Sequence, residues 1–229
     1  FCRNPGLALP LIALQYHEVK VILQHTIGAT AAYGNSVTPT NNLYCDYIYL
    51  DTDERRRFAQ VSHEYLIEQV QHQNLEGSIT TSLNFNHPVK EIIWTGAHTS
   101  TAGSQARAVV SSANWNLKLN GHDRMAARPT FYFTRQQVLD YHTGCGGIAG
   151  DVTSLPDTAT KQNWGNDSIA VFSFALKPEE HQPSGTCNFS RIDNAQLVMD
   201  GTAAVHEVYA INYNVLRIMS GMGGLAYSN

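Results

Sequence analysis

A period of two in the hydrophobic pattern is the feature that most constrains how this chain can fold. In a β-strand, successive side chains point to opposite faces, so alternating apolar and polar residues indicate a strand with one buried face. The ten residues His63–His72 would also fit a short helix, but their neighbours on both sides are strand-like, and we therefore predict a strand. The predicted strands are residues 13–27, 43–50, 63–72, 78–85, 90–98, 114–121, 168–176, 195–200 and 205–219.

These eight or nine predicted strands follow one another without a helix after each, which argues against a doubly wound α/β sheet. The fold class we predict is all-β, a sandwich or jelly roll with short helical insertions. One insertion is a helix over residues 53–60, with Asp51 or Thr52 as its N-cap and Phe58 pointing inward. The other is one or two helical turns within residues 134–141.

Composition limits the function classes. The 229 residues are 43% hydrophobic and 15% charged, with a net charge of −4, so the chain can build a core and is not intrinsically disordered. It lacks the cationic field that non-specific nucleic-acid binding requires. No run of 18 apolar residues occurs, so we expect no membrane insertion. So few charges on a β-rich protein predict a surface that is partly covered by something else.

The chain begins at Phe1, with no charged segment before an apolar stretch, so we expect no signal peptide and a fragment or processed product. Its four cysteines, at positions 2, 45, 145 and 187, form no CxxC pair. We expect reduced and mostly buried thiols.

Catalytic signatures are missing from the sequence. There is no HExxH, no GxSxG and no HxH pair that would place two histidines on one strand face, so we predict no catalytic residue, no cofactor site and no metal site. The glycine run 221–224 lacks the lysine of a phosphate-binding loop. The basic cluster Arg55–Arg57 follows three acidic residues and is best explained by salt bridges.

Two glycosylation sequons occur, at Asn166 and Asn188. Asn166 lies in a predicted loop and is the candidate glycosylation site. For both sequons an unmodified asparagine is the favoured reading, more strongly for Asn188.

Several long segments together carry a family resemblance, and they keep their order over nearly the whole chain. They are residues 4–20, 46–71 (DYIYLDTDERRRFAQVSHEYLIEQVQ), 83–94 (LNFNHPVKEIIW), 173–197 and 212–229 (NYNVLRIMSGMGGLAYSN). The chain resembles the major capsid proteins of nucleocytoplasmic large DNA viruses, and most closely their phycodnavirus and mimivirus-related branch.

The resemblance implies a protein of two consecutive jelly rolls, of which residues 1–229 are the second, with the first missing from this fragment. It further implies a homotrimer of the full-length protein that forms pseudo-hexagonal capsomers in an icosahedral shell, beside neighbouring capsomers and minor capsid proteins. Location in the virion and assembly in the host cytoplasm follow, without direct contact to nucleic acid. The segments 8–10 and 185–187 should then be turns or packing points. The isolated fragment should be poorly soluble, because an apolar domain interface is uncovered.

Two other functions remain open. A lectin-like jelly roll would bind carbohydrate through its long loops, with Trp115, Tyr141 and Trp164 as stacking platforms. A cupin-type metal enzyme is the weaker alternative, because the HxH pair is missing.

Overall fold

The computed structural model describes residues 3–24, 41–74, 79–96, 113–144, 169–200 and 205–228. Eleven strands lie within these ranges. They are β1 (His63–Asn74), β2 (Thr80–Leu83), β3 (Pro88–Gly96), β4 (Asn114–Leu119), β5 (His122–Asp123), β6 (Arg128–Pro129), β7 (Ile169–Ser173), β8 (Cys187–Asn188), β9 (Ala195–Asp200), β10 (Val205–Met219) and β11 (Met222–Leu225).

The strands form two antiparallel sheets. One has the order β1-β10-β3-β7, with β11 added on β10 and β8 on β3. The other has the order β2-β9-β4-β5, with β6 added on β4. From β1 to β4, and again from β8 to β10, each successive strand lies in the other sheet, as in a jelly roll. This confirms the predicted all-β jelly-roll sandwich.

The core lies between the two sheets and is dominated by aromatic rings. Trp94 of β3 lies 5.6 Å from Trp115 of β4 and 5.1 Å from Phe133, measured between ring centroids, and all three are at most 1% exposed. The Trp115 indole N–H donates to Thr130 Oγ1 at 2.8 Å, so its polar atom is satisfied inside the core. Strands β4 and β9 bury every second residue, as the period of two predicts.

The described residues divide into two compact units. We call Leu66–Asn214 the central unit, and Phe1–Tyr65 together with Val215–Ser228 the terminal unit. The central unit holds the aromatic core. The terminal unit contains the helix α1 (Thr52–Gln60), two short 3₁₀ turns at Pro5–Leu7 and Leu11–Ala13, and the hairpin end formed by β11.

Two hairpin turns use residues with positive φ at both central positions. Asn120 and Gly121 have φ of 51° and 80° between β4 and β5, and Ser220 and Gly221 have φ of 55° and 81° between β10 and β11. Such two-residue turns match the twist of the strands they join, and glycine adopts this conformation without strain. The glycine-rich end of the sequence is therefore part of a strand pair.

The helical insertions lie where they were predicted. Helix α1 begins one residue earlier than expected, and Asp51 is its N-cap without a side-chain hydrogen bond to the helix. Phe58 is half-buried, and its ring centroid lies 5.3 Å from that of His63. A π-helical turn over Tyr132–Gln136 continues into α2 (Gln137–Tyr141), so the second insertion also begins earlier than expected. No helix of the described ranges is long and apolar enough to cross a membrane.

Two predicted strands are wrong within the described residues. The strands expected at residues 13–27 and 43–50 are not formed: Ala13 ends a 3₁₀ turn, and none of the described residues 14–24 and 43–50 is in a strand. A strand needs a neighbouring backbone to satisfy its N–H and C=O groups, and no described strand pairs with either segment. In both segments, large side chains are exposed at odd and at even positions alike, so neither face is buried; Ile22 is 82% exposed and Tyr49 is 92% exposed.

Candidate functional site

A ladder of side-chain amides lies on one face of the first sheet in the central unit. Gln69, Gln71 and Gln73 occupy every second position of β1, and Asn212 and Asn214 do the same on β10. Asn214 donates to Gln69 Oε1 at 2.9 Å, and Gln71 donates to Asn212 Oδ1 at 3.0 Å. Both asparagines are at most 2% exposed, so these bonds satisfy polar groups that water does not reach.

Two glutamines of the ladder also bind the backbone near the end of β2 and just beyond it. Gln73 accepts from the Asn84 N–H at 2.9 Å and donates to the Ser82 carbonyl at 2.8 Å. Gln71 accepts from the Asn86 N–H at 3.0 Å and donates to the Asn86 carbonyl at 2.6 Å. The amides replace a neighbouring strand here, and they join β1 of one sheet to the chain that continues from β2 of the other. The sequence signal was the alternation of Gln at 69, 71 and 73, which reads as a polar face and gave no hint of its partners.

A buried lysine lies at an irregularity of β3. Ile211 pairs with Glu91 and Asn212 with Val89, which leaves Lys90 as an extra residue in β3, a β-bulge. The Lys90 carbonyl accepts from the N–H groups of Phe174 at 2.8 Å and Ala175 at 3.2 Å.

The Lys90 ammonium group is satisfied by oxygen atoms. It donates to Glu68 Oε1 at 2.7 Å and to the Pro178 carbonyl at 2.6 Å, and it lies 5.7 Å from the centre of the Tyr213 ring. Its side chain is 2% exposed, so this ion pair ties β1, β3 and the segment after β7 together away from water. Removal of either partner would leave an uncompensated buried charge.

A second charge cluster surrounds His142, directly after α2. Its Nε2 lies 3.1 Å from Glu91 Oε2, and its Nδ1 lies 3.3 Å from Glu179 Oε1. Burial raises the pKa of Glu91, while the nearby His142 and Lys90 act in the opposite direction. Glu179 accepts from the Thr143 N–H at 3.0 Å and from its hydroxyl at 3.2 Å, and these bonds hold the Glu179 pKa below its ordinary value. No sequence pattern indicated this cluster, because its members come from three separate elements.

The terminal unit presents an exposed apolar surface. We define it as the large hydrophobic side chains of residues 16–24 and 41–50, which are Tyr16, Val19, Val21, Ile22, Leu23, Leu43, Tyr44, Tyr47, Ile48 and Tyr49, each at least 48% exposed. Large exposed apolar side chains in this number are more typical of a contact site than of a free surface. A shallow cleft of about 260 Å³ within the same unit is lined by Leu9, Leu14, Val19, Leu216 and Ile218, together with His17, Glu18 and Gly223.

The segments expected to be turns or packing points fill those roles. A Cβ on Gly185, whose φ is +149°, would lie 2.7 Å from the Phe174 carbonyl oxygen, so the backbones approach too closely for a side chain. The Ala8 carbonyl accepts from the Tyr65 hydroxyl at 3.2 Å, and Pro10 is buried.

The predicted modification sites have different outcomes. Asn166 lies outside the described residues, so its glycosylation stays a prediction. Asn188 accepts from the Ser190 N–H at 3.1 Å, and the Ser190 hydroxyl accepts from the His87 N–H at 2.9 Å. Both key groups of the Asn188 sequon thus take part in hydrogen bonds, and the expectation that Asn188 is unmodified stays a prediction.

The described cysteines are not bonded to each other, but their burial differs from the expectation. Cys45 is exposed, so its predicted burial is wrong; it belongs to the segment that finds no strand partner. Cys187 is half-buried against the core, and this burial raises its thiol pKa. Cys2 and Cys145 lie outside the described residues.

The remaining candidate chemistry finds little support. Trp115 is 1% exposed in the core and cannot stack on a sugar, so the lectin reading loses one of its three platforms. Tyr141 is half-buried, and Trp164 lies outside the described residues. Among the described residues, no group of three or more His, Cys, Asp or Glu is arranged to hold a metal ion. The basic cluster forms one long ion pair, Arg56 to Asp53 at 3.9 Å.

Comparison with known proteins gives two family matches. Residues 54–224 match the model of the large eukaryotic DNA virus major capsid protein, and residues 1–51 match that of the major capsid protein N-terminus. The major capsid protein of Pyramimonas orientalis virus is 54% identical over all of this chain and 59% of the relative's length. That of Paramecium bursaria Chlorella virus 1 is 38% identical over all of this chain and 65% of the relative.

A solved structure agrees with the sequence relatives. The quasi-atomic model of the PBCV-1 virus capsid superposes with a TM-score of 0.74 at 35% identity, covering 99% of this chain and 68% of that one. The relatives are named as proteins of viral capsids, in agreement with the virion location expected from the sequence. The chain spans about three fifths of these curated relatives, 59% and 65% of their length. With its matching fold, the chain belongs to the family of large eukaryotic DNA virus major capsid proteins.

Proposed function

We propose that this chain is a structural subunit of the capsid of a large DNA virus, without catalytic activity. The observation that carries the proposal is the family match over residues 54–224, which coincides with the jelly-roll sandwich. Lys90 and the amide ladder have their hydrogen bonds inside the fold, which supports a structural role for these polar groups. Such a subunit works by presenting rigid faces to its neighbours, and the packed core supplies that rigidity.

The sandwich is the second of two jelly rolls in the full-length protein. The expectation from sequence treats residues 1–229 as one jelly roll, whereas the two family matches meet between residues 51 and 54. The first β-strand of the sandwich begins at His63, after both that boundary and α1. This favours a second jelly roll that starts after residue 51, with the preceding residues belonging to the N-terminal part of the family's fold.

Three such chains form a pseudo-hexagonal capsomer, and capsomers together with minor capsid proteins build the icosahedral shell. The exposed apolar surface of the terminal unit supports this assembly, because it offers large side chains that are not covered within the described chain. Its alternating pattern fits segments that pair with β-strands elsewhere in the assembled protein.

The test is the size of the full-length protein, measured by light scattering and electron microscopy. We expect trimers. Tyr49→Asp adds charge to a side chain that is 92% exposed in this chain and should lower the trimer fraction, whereas Tyr49→Phe keeps the ring and should not. Monomers alone at high concentration would contradict the trimer. If Tyr49→Asp still forms trimers normally, the exposed apolar surface is not an assembly contact, while the proposed trimer stands.

A further inference from the structure

Two edge strands of the sandwich lack the charged residues that usually protect such edges. Among the described strands, β2 is the last in the order of the second sheet, and β7 is the last in the order of the first. The stretch that contains β2, residues 79–86, reads ITTSLNFN, and β7 reads IAVFS. Neither stretch contains a charged residue or a proline, the side chains that commonly prevent an edge strand from pairing with another chain.

The backbone of residues 79–86 presents one set of hydrogen-bonding groups outward. The Ile79 carbonyl accepts from the Met199 N–H of β9 at 2.9 Å, so the odd-numbered residues of this stretch direct their N–H and C=O groups toward β9. The even-numbered residues direct theirs the opposite way, toward the open edge. An added strand would have to pair with the groups of these even-numbered residues.

Two side-chain amides of β1 occupy that edge. Gln73 donates to the Ser82 carbonyl at 2.8 Å and accepts from the Asn84 N–H at 2.9 Å. Gln71 donates to the Asn86 carbonyl at 2.6 Å and accepts from the Asn86 N–H at 3.0 Å. A glutamine amide carries donors and an acceptor, as a backbone peptide group does. The two side chains therefore take the positions that the backbone of a neighbouring strand would use.

The edge at β7 is closed by the same kind of side chain, from a different element. The Phe174 N–H donates to the Lys90 carbonyl of β3, so the preceding Ser173 N–H points away from β3. Gln137 of α2 accepts from this Ser173 N–H at 3.2 Å and donates to the Tyr132 hydroxyl at 2.9 Å. Gln137 is 3% exposed, so its amide is held in place inside the fold.

We propose that Gln71, Gln73 and Gln137 are edge guards, which prevent the sandwich from pairing with a second copy of this chain by β-strand addition. The excluded partner is a second copy because residues 79–86 of two copies can pair with each other antiparallel about a two-fold axis. The inference goes beyond the proposed capsid role and does not depend on it, since edge pairing requires only two copies of the sandwich.

The test removes the two guards of β2 in the whole chain. The double variant Gln71→Met with Gln73→Met keeps the length of both side chains and deletes their amides. At micromolar concentration we expect the Asn84 and Asn86 amides to exchange hydrogen about three- to tenfold faster than in the wild type. Toward millimolar concentration their protection should return, because a second copy then pairs with the edge, and light scattering should show a larger particle than for the wild type.

A matched control separates edge pairing from simple loss of stability. Gln69→Met removes an equally half-buried amide from the same face of β1, but that amide accepts from the Asn214 side chain and lies away from the edge groups of β2. This variant should keep the wild-type particle size and the wild-type exchange of the Asn84 amide. Association of Gln69→Met to the same extent as the double variant would overturn the proposal.

The proposal also fails if the double variant keeps the wild-type particle size and its two amides stay unprotected at high concentration. If the double variant does not fold, Gln73→Met alone decides the matter, because Gln71 then still satisfies the buried Asn212. The Asn84 amide of Gln73→Met should lose protection at low concentration and regain it at high concentration. An Asn84 amide that exchanges equally fast at both concentrations would count against the edge guards.

Discussion

The two units of this chain show how differently one hydrophobic pattern can be used. In the described part of the terminal unit only Pro10, Ala13 and Ile218 are buried apolar residues, while all other buried hydrophobic residues belong to the central unit. In the central unit, alternation produces two sheets around an aromatic core. In the terminal unit, residues 14–24 and 41–50 carry a similar pattern without a sheet. An alternating hydrophobic pattern therefore indicates that a segment can pair as a β-strand. Whether the strand forms depends on the presence of a partner strand.

Truncating a ring should have the largest effect and should separate the units most clearly. Trp94→Ala removes a side chain that is 1% exposed and contacts Trp115 and Phe133, so we expect a loss of about 4 kcal/mol in the free energy of unfolding. Tyr49→Ala in the terminal unit should change it by less than about 0.5 kcal/mol. Urea denaturation measures both. A comparable loss in Tyr49→Ala would mean that the exposed apolar surface is covered in solution.

Each unit contains an ion pair, and the two should differ in strength. Lys90→Met removes the ion pair with Glu68 inside the central unit, and we expect a loss of about 3 kcal/mol. Arg217 and Glu64 of the terminal unit are 52% and 56% exposed, so Arg217→Met should cost less than about 1 kcal/mol.

The double variant Lys90→Met with Glu68→Leu should recover much of the Lys90→Met loss, because both charges of the buried pair are then removed. A double-mutant cycle by chemical denaturation checks this. No recovery would show that the lysine acts through its packing on Tyr213 instead.

The amide ladder predicts a smaller effect at the edge of the central unit. Gln71→Ala removes the bonds to Asn212 and to the Asn86 backbone, and we expect a loss of about 2 kcal/mol together with faster exchange of the Asn86 amide. Val70→Ala changes the neighbouring side chain, which is 65% exposed, and should be nearly neutral. If the two substitutions lower the free energy of unfolding equally, the hydrogen bonds of the ladder make no specific contribution to stability.

The smallest effect concerns acid pH. Because the Thr143 donors lower the Glu179 pKa, ionised Glu179 contributes stability above the ordinary carboxyl pKa, and this contribution is lost as pH falls through the lowered value. The contribution of Glu91 to stability changes with pH in the opposite direction. Burial raises the Glu91 pKa, so its ionisation costs stability as pH rises. Unfolding of Glu179→Gln should therefore depend less on acid pH than that of the wild type, while Glu180→Gln should keep the wild-type slope. If the stability of Glu179→Gln depends more steeply on acid pH than that of the wild type, ionised Glu179 does not stabilise the fold.

Much of the fold could be predicted because the central unit follows local rules. The strands at 195–200 and 205–219 were predicted with the bounds that the structure shows, since each has a clear alternation and a turn signal at its ends. The two terminal strands were predicted by the same rule and are absent, because the rule contains no information about partners. The short strands β5, β6, β8 and β11 were missed, since two to four residues carry too little pattern to be recognised.

The candidate site was much less predictable than the fold. Gln71 was visible as a polar residue of a predicted strand, whereas Gln73 lies just beyond the predicted end of that strand. Their bonds to the Asn84 and Asn86 backbone depend on how the sheets meet. Lys90 was only the first residue of a predicted strand, and the β-bulge explains how it is buried against Glu68.

The sequence by itself determined the jelly-roll class and the family, because alternation and long ordered motifs are properties of the chain read in one dimension. Tertiary structure alone decided which alternating segments became strands, and that His142 would meet Glu91 and Glu179. Hydrogen-bond partners and charge neighbours are set by residues far apart in the chain. A backbone or a carboxylate is satisfied only by what folding places within about 3 Å of it.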